Sequence, residues 1–382
     1  MAHKDTVFAQ LLKMVSRHDF ESLARKHHTG RKLRQMTRWS QFIALGLAQL
    51  SGRSSLRDIV DNLRAQTHRL YHLGCRRISR SSLARVNNQQ SYKLYEELFG
   101  KLLARCRAAM PKHTFRFKGK LISLDASIIE LSLSVFPWAT FNRKKGAVKL
   151  HVGLDHGGYI PTFVSVTEGD HHEIKWARTL DLPENSVVVV DMGFTDYGWF
   201  NDLHNKGITF VIRQKKNAIY RVIKRNRVRR DLGITSDQVI ELKDHRKRCT
   251  IPLRRIGYRD PETNKHYVYI TNSMRLAAKT IADIYKERWK IELFFKWIKQ
   301  NLKIKSFLGT SKNAVLTQLW VAMCMYLVLA YLKYSSRIKG TMIRLKQRLQ
   351  LNLFEKRDLI TLLRGGPPGD GEPITQRELR FA

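Results

Sequence analysis

Two kinds of hydrophobic patterning divide the chain. Residues 1 to about 112 carry apolar positions at helical spacing. Trp39 to Leu50 is amphipathic and ends at Ser51-Gly52, a helix stop. Ser54 or Ser55 is placed to cap a helix over Leu56 to Leu63, with Asp58 in the first turn, where a negative charge suits the helix dipole. Ser79 to Ser82 opens a further helix carrying Arg80, Arg85, Asn87, Asn88 and Gln89. Its successor, Tyr92 to Ala109, stops at Pro111.

From Phe115 the period changes to two. Lys120 to Leu133 reads as a strand with Asp125 inside it. Ala147 to Asp155 and Tyr159 to Thr167 read as a hairpin around Asp155-His156-Gly157-Gly158. His172 to Leu180 is a helix. Ser186 to Val190 is a β-branched run of the kind found in central buried strands, and it ends at Asp191. Asp196 to Asn205 is a short helix closed by Gly207, and Ile208 to Ile212 is a fifth strand. Three strands, helix, strand, helix, strand is the order of a ribonuclease H-like domain, which needs one more helix to complete its site.

That helix, Ile281 to Lys303, is delayed by an insertion from Arg213 to about Arg275, with strands expected near Val239 to Leu242, Cys249 to Tyr258 and His266 to Thr271. The expected fold class is α/β: a mixed five-stranded ribonuclease H-like core with helices, interrupted by a β-rich insertion and preceded by an all-α domain. The expected domains are 1–112 (helical, DNA-binding), 113–212 (first part of the core), 213–275 (basic insertion), 276–345 (second part of the core) and 346–382 (a helix and a Gly/Pro-rich, disordered tail from Gly365 to Pro373).

Composition adds a partner. Lys and Arg total 70 against 32 Asp and Glu, a formal net charge of +38. An excess of that size repels itself unless a polyanion is near, and nucleic acid comes before anionic membrane surface as the candidate. Nine of the eighteen residues from Arg213 to Arg230 are Lys or Arg, with no acid. This tract, headed by Arg213, Lys215 and Lys216, reads as a phosphate-contacting arm rather than a solvated face. The helix bearing Arg85 suits a reader of the DNA major groove and equally suits the surface of a helical bundle.

Four scattered cysteines without a C-x-x-C pair argue against a zinc ribbon or disulfide framework and for a reducing compartment. Met1 to Val15 lacks a signal-peptide core, so a cytoplasmic location is expected. Ala314 to Leu332 runs 19 residues without a charge, long enough to span a membrane. A helix buried on all sides of a soluble core has the same composition and is the reading adopted, with no membrane partner.

Three carboxylates stand out. Asp125 sits among Leu121, Ile122 and Leu124, where a charge is costly unless it is paired, hydrogen-bonded or bound to metal. Asp191 ends the second central strand, and a turn or helix cap explains it as well as a ligand role does. On the delayed helix, Tyr285, Arg288, Glu292 and Lys299 fall at about 0, −60, −20 and −40° at 100° per residue, a single polar stripe beside the apolar one. A salt-bridged surface helix explains Arg288 and Glu292, but not Tyr285 and Lys299 on the same line.

Tyr285-x-x-Arg288-x-x-x-Glu292-x-x-x-x-x-x-Lys299 resembles the Tyr-Arg-Glu-Lys signature of the bacterial insertion-sequence family numbered four, a DDE transposase family of the retroviral-integrase superfamily. Ser123-Leu124-Asp125-Ala126-Ser127 and Val190-Asp191-Met192-Gly193-Phe194 resemble its first two carboxylate motifs. The resemblance covers about Phe115 to Leu332 and, less specifically, the N-terminal helices. It implies that Asp125, Asp191 and Glu292 are catalytic and hold two Mg²⁺ ions, with Mn²⁺ able to substitute, and that Tyr285, Arg288 and Lys299 contact DNA. It further implies double-stranded DNA as partner, both terminal inverted repeats and target, in a synaptic complex of a homodimer. Relatives that excise through a hairpin stack a flipped base on a Trp of the insertion. This chain has no Trp between Trp199 and Trp289, leaving Tyr258, Tyr267 or Tyr269 for that role.

Other features carry plainer expectations. Asp170-His171-His172-Glu173 precedes a helix and reads as capping rather than a metal cluster. His68 and His72 read as surface histidines. Lys149 and His151 alternate along a strand and could face the site, a reading that is discounted. A catalytically silent DNA-binding repressor and a nuclease that cuts without joining are the competing functions.

Overall fold

The computed structural model of the protein describes residues 5–142, 145–216, 218–243 and 249–366. The expected tail from Gly365 to Pro373 lies almost wholly outside them. The chain divides into a helical unit, residues 1–110 with 297–382, and a sheet unit, residues 111–296.

The helical unit begins with α1 (Val7–Leu12), α2 (Arg17–Lys26), α3 (Arg38–Ser51), α4 (Leu56–Ala65), α5 (Arg80–Gln89) and α6 (Lys93–Ala109). Its caps follow the sequence signals. Ser55 Oγ accepts the Asp58 N–H at 3.1 Å and Ser79 Oγ the Ser82 N–H at 3.2 Å. Gly52, at φ 77°, takes the left-handed turn that ends α3. His72 is not a surface residue: its side chain is buried, 3.4 Å from Asp5.

In the sheet unit, ten strands among the described residues join into one sheet. They are β1 (Leu121–Leu131), β2 (Thr140–Asn142), β3 (Lys145–Asp155), β4 (Ile160–Glu168), β5 (Val187–Val190), β6 (Thr209–Arg213), β7 (Tyr220–Arg225), β8 (Ile234–Leu242), β9 (Leu253–Arg259) and β10 (His266–Thr271). The order β4-β3-β1-β5-β6 is that of a ribonuclease H-like core, with β5 and β6 parallel to β1 and β3 antiparallel to it. The insertion continues the same sheet as β10-β9-β8-β7. Its basic tract supplies β7, whose far edge is open.

The four valines of β5 are buried on both faces, as a continuous apolar run requires. On one face α7 (Glu173–Arg178) and α8 (Tyr197–Asn205) bury Trp176 and Phe200 against Leu124, Val188 and Phe210. On the other, α9 (Ala278–Glu287) buries Ile281 and Ile284 against Leu121, Val187 and Val211. The helix expected from Ile281 to Lys303 is broken at Arg288 into α9 and α10 (Trp289–Asn301). There the Arg288 N–H reaches the Tyr285 carbonyl and the Ile291 N–H the Arg288 carbonyl, each at 3.1 Å, a tighter turn than the α-helix on either side.

The division between units falls inside α10, so residues 297–345, expected from sequence to be part of the core, belong instead with the N-terminal helices. The reason is α11 (Lys312–Ser335), followed by α12 (Met342–Asn352) and α13 (Leu359–Arg364). Although α11 is long and apolar enough to cross a membrane, 94% of its apolar window is buried, among α3, α5, α6 and α12. Its polar member Gln318 is satisfied: its amide donates to the Ser306 carbonyl at 2.8 Å and its oxygen accepts the Leu308 N–H at 2.9 Å.

Candidate active site

Four neighbouring strands deliver one side chain each to the same level of the sheet. The parallel rungs Ser123–Val189 and Val190–Ile212, continued in register, set Asp125, Asp191 and Arg213 level. Tyr269 pairs directly with Arg213. Side chains alternate between faces, so all four share the face that α9 covers.

Asp125 is largely buried, with 20% of its side chain exposed, and its Oδ1 accepts the Ala126 N–H at 2.8 Å. Its carboxyl is pushed up to about 7. Burial is the main cause, the negative charges of Asp191 and Glu173 add to it, and the Ala126 N–H and Arg288 oppose it. Asp191 accepts the Gly193 N–H at 2.8 Å, so it caps a turn while standing on the site face.

The α9–α10 break lies over this row. Arg288 Nη1 is 3.9 Å from Asp125 Oδ2, and Nη2 donates to Glu292 Oε1 at 2.5 Å. The Tyr285 ring packs on that of Tyr269 at 4.7 Å, with Arg288 5.7 Å from its centre. The Tyr285 phenol is held above its usual range, chiefly by burial, with Asp191 adding to that and Arg288 and Arg213 opposing it. Asp125, Asp191, Arg213, Tyr285, Arg288 and Glu292 therefore form one neighbourhood. Lys299 belongs to the helical unit, and Lys215 and Lys216 are exposed just past β6. Arg85 is exposed on α5.

Two groups of residues escaped the sequence reading. The first is Glu173. The cap of α7 is His172, which makes no side-chain cap bond, so the capping expected of the Asp170–Glu173 stretch is limited to its position. Glu173 and Asp191 instead flank Gly193: a Cβ there would lie 3.0 Å from Asp191 Oδ1 and 3.4 Å from Glu173 Oε2. Buried Lys149 holds Glu173 from behind, at 3.5 Å. Lys149 and His151 lie on the face opposite Asp125, since Asp125 pairs with Val152. His151 packs on Trp176, and its imidazole is pushed down to about 3, first by burial, which keeps it neutral.

The second is a buried link beneath the break. His156 Nε2 is 2.6 Å from Ser123 Oγ, and its Nδ1 is 3.6 Å from Glu287 Oε2. Glu287 is held below the usual carboxylate range, chiefly by the His156 imidazole beside it. Adjacent residues thus face β1 at two points, Arg288 beside Asp125 and Glu287 beside the His156 that pairs with Ser123.

Of the tyrosines available for base stacking, Tyr258 and Tyr269 are buried in the core and only Tyr267 is partly exposed, below Arg213 at 5.2 Å.

Carboxylate oxygens suit a hard divalent cation, and the burial and like charges that raise Asp125 are what such a cation relieves. Among the described residues, no three acidic, His or Cys side chains close around one point. Glu292 is turned to Arg288 instead.

Residues 116–328 match the family described as "Transposase DDE domain". The chain belongs to the DDE transposases. Residues 3–76 of the transposase match a domain of unknown function, DUF4372. It is similar to a transposase of Sinorhizobium fredii, y4zB, at 30% identity over 75% of this chain and 80% of the relative. It is also similar to the transposase of insertion sequence element IS5377 from Geobacillus stearothermophilus, at 27% identity over 71% of this chain and 72% of the relative. A third relative, the transposase of element IS4SA from Synechocystis, is 22% identical over 84% of this chain and 89% of its own length. Membership makes the protein an insertion-sequence transposase with DNA as substrate and implies divalent-metal chemistry on a ribonuclease H-like fold.

Proposed function

We propose that this transposase binds the terminal inverted repeats of its own insertion sequence, cuts them hydrolytically and joins the freed 3′-hydroxyls to target DNA, a cut-and-paste reaction. The observation that carries this reading is Arg288, which links Asp125 to Glu292 on the face where Asp125 and Asp191 stand level.

Asp125, Asp191 and Glu292 would hold two Mg²⁺ ions, for which Mn²⁺ could substitute, and such ions would supply activation of the attacking oxygen and stabilisation of the leaving one. To serve as a ligand, Glu292 would have to leave Arg288. The guanidinium so freed would be able to take a non-bridging oxygen of the scissile phosphate, as a rigid charged fork does well. Tyr285 and Arg213 border the same phosphate, and Lys299, Lys215, Lys216 and Arg85 contact the DNA backbone further along. In the first step water attacks phosphorus and the P–O3′ bond breaks, leaving a 3′-hydroxyl and a 5′-phosphate. In the second that 3′-oxygen attacks a target phosphate and displaces a target 3′-oxygen. Pairing two ends calls for a homodimer assembled on DNA, in the cytoplasm and without a membrane.

The test is strand cleavage of a fragment carrying the element's ends, with Mg²⁺, for wild type and Glu292→Ala. Cleavage lost in the variant while binding persists is expected. Cleavage that survives the substitution overturns the carboxylate assignment. A wild type that binds without cutting makes the protein a repressor.

A further inference from the structure

The N-terminal helices contain a groove of about 760 Å³ between the loop Thr29–Met36 and the exposed side of α5. Its walls come from two stretches without a single acid. Residues 22–57 hold eight Lys or Arg and residues 62–95 hold seven, with no Asp or Glu in either. Arg31, Lys32 and Arg34 line one wall and Arg85 the other. All four are exposed, and none has a carboxylate within ion-pair distance among the described residues. Many exposed cations elsewhere are paired: Arg178 with Asp196 and Asp202, Arg221 with Glu241, Arg229 with Asp231.

The walls are built into the fold. Thr29 Oγ1 donates to the Gln89 carbonyl at 2.7 Å, and buried Gln90 donates back to the Thr29 carbonyl at 2.5 Å, so the loop is fastened to the end of α5. Gly30, at φ 71°, makes the turn that sends the three cations outward. Below, the Gln41 amide donates to Asn87 Oδ1 at 2.7 Å and the Asn313 amide to the Asn87 and Gln90 carbonyls at 2.8 Å. Asn87 is thereby taken from the DNA-facing set suggested by sequence. Ser81, Arg85, Asn88 and Gln89 stay outside.

We propose that this groove is a clamp for the sugar-phosphate backbone of duplex DNA, gripping one strand with the Arg31-Lys32-Arg34 loop while α5 lies along the adjoining major groove. It assigns a ligand to the domain of unknown function together with α5, and it rests on the transposase reading above. Charge complementarity selects a polyanion. Duplex rather than single-stranded DNA follows from the lining, which has no aromatic side chain on which unpaired bases could stack. Phosphate contacts from loop cations hold a helix in register without themselves reading sequence.

The experiment uses the full chain and fluorescence anisotropy on a duplex carrying the element's terminal repeat, from low to high NaCl. Each phosphate contact contributes about 0.9 to the slope of log K against log salt. The Arg31→Ala, Lys32→Ala, Arg34→Ala triple variant is therefore expected to lose up to about 3 from that slope and on the order of tenfold or more in affinity near physiological salt. A matched variant, Lys339→Ala, Arg344→Ala, Lys356→Ala, removes the same charge from other exposed positions and is expected to keep most of the slope. A groove variant with the wild-type slope, a matched variant that falls as far, or tighter binding to the single strand than to the duplex overturns the clamp. Should the groove variant bind normally while wild type still cuts its ends, only the clamp fails. Should wild type neither bind nor cut them, the functional reading fails with it.

Discussion

Replacing Asp125 with Asn is expected to stabilise the metal-free protein, a direction opposite to that of most substitutions at a buried polar residue. The carboxyl is pushed from the usual 3.8 to about 7, by burial first. A folded-state value above the unfolded one means that the folded protein holds the proton more tightly. Stability from this group is complete below about pH 4, declines as pH rises, and is fully lost above about pH 7. Three units at about 1.4 kcal/mol each set a ceiling of roughly 4 kcal/mol above pH 7, of which about 1.5 has accrued at pH 5. Asn keeps the shape and can accept the Ala126 N–H, but carries no charge to desolvate. The variant in EDTA should therefore exceed wild type by about 2–4 kcal/mol at pH 8 and by about 1 kcal/mol at pH 5, with roughly 2–4 °C in Tm for each kcal/mol. Adding Mg²⁺ should reverse the order, because only wild type gains from binding. Scanning calorimetry at the two pH values, with and without Mg²⁺, measures all four quantities. An Asn variant no more stable than wild type at pH 8, or a gap equal at pH 5 and pH 8, refutes the reasoning.

Other perturbations separate the site from its supports. Arg254→Met strands Asp237, to which Arg254 donates at 2.6 and 2.9 Å in a pair less than 10% exposed, and should cost about 3–5 kcal/mol in a denaturant melt, largely recovered when Asp237→Leu is added. Tyr285→Phe keeps the ring on Tyr269 but loses the hydroxyl; the melt should be unchanged while end cleavage falls by about tenfold or more, the worth of a hydrogen bond to a charged group. Glu287→Ala removes the carboxylate 3.6 Å from His156 and should slow cleavage with duplex binding intact, whereas Glu287→Gln, which keeps the side chain's length and an oxygen facing the imidazole, should keep most of the rate; equal losses in the two would remove His156–Glu287 as a positioning contact.

Local chemistry was legible along the chain because it is written in nearest neighbours. The valine run ending at Asp191, the serine caps of α4 and α5, and the strand–helix order of the core each depend on periodicity or capping over a few residues. The polar stripe on the delayed helix was visible for the same reason, although the break at Arg288 was not: there Arg288 lies 3.9 Å from Asp125 of β1 and Glu287 3.6 Å from His156, contacts far apart in sequence. Glu173 was misread because its partner Lys149 and the nearby Asp191 come from strands distant in sequence, and capping was all that its neighbours could suggest. The insertion read as a separate basic module, yet its strands extend the core sheet, a choice made by the open edge of β6 and not by composition.

The sequence by itself determined the elements, the acid and base types, and the polyanion as partner, since period, residue chemistry and net charge do not depend on how the chain closes. Only the tertiary structure decided which charges meet. Level register sets Asp125 beside Asp191 and Arg213, alternation puts Lys149 on the far face, and Arg288 rather than an open space lies between Asp125 and Glu292. Those are contacts between residues far apart in sequence, fixed by strand pairing and by the cost of leaving a buried charge without a partner.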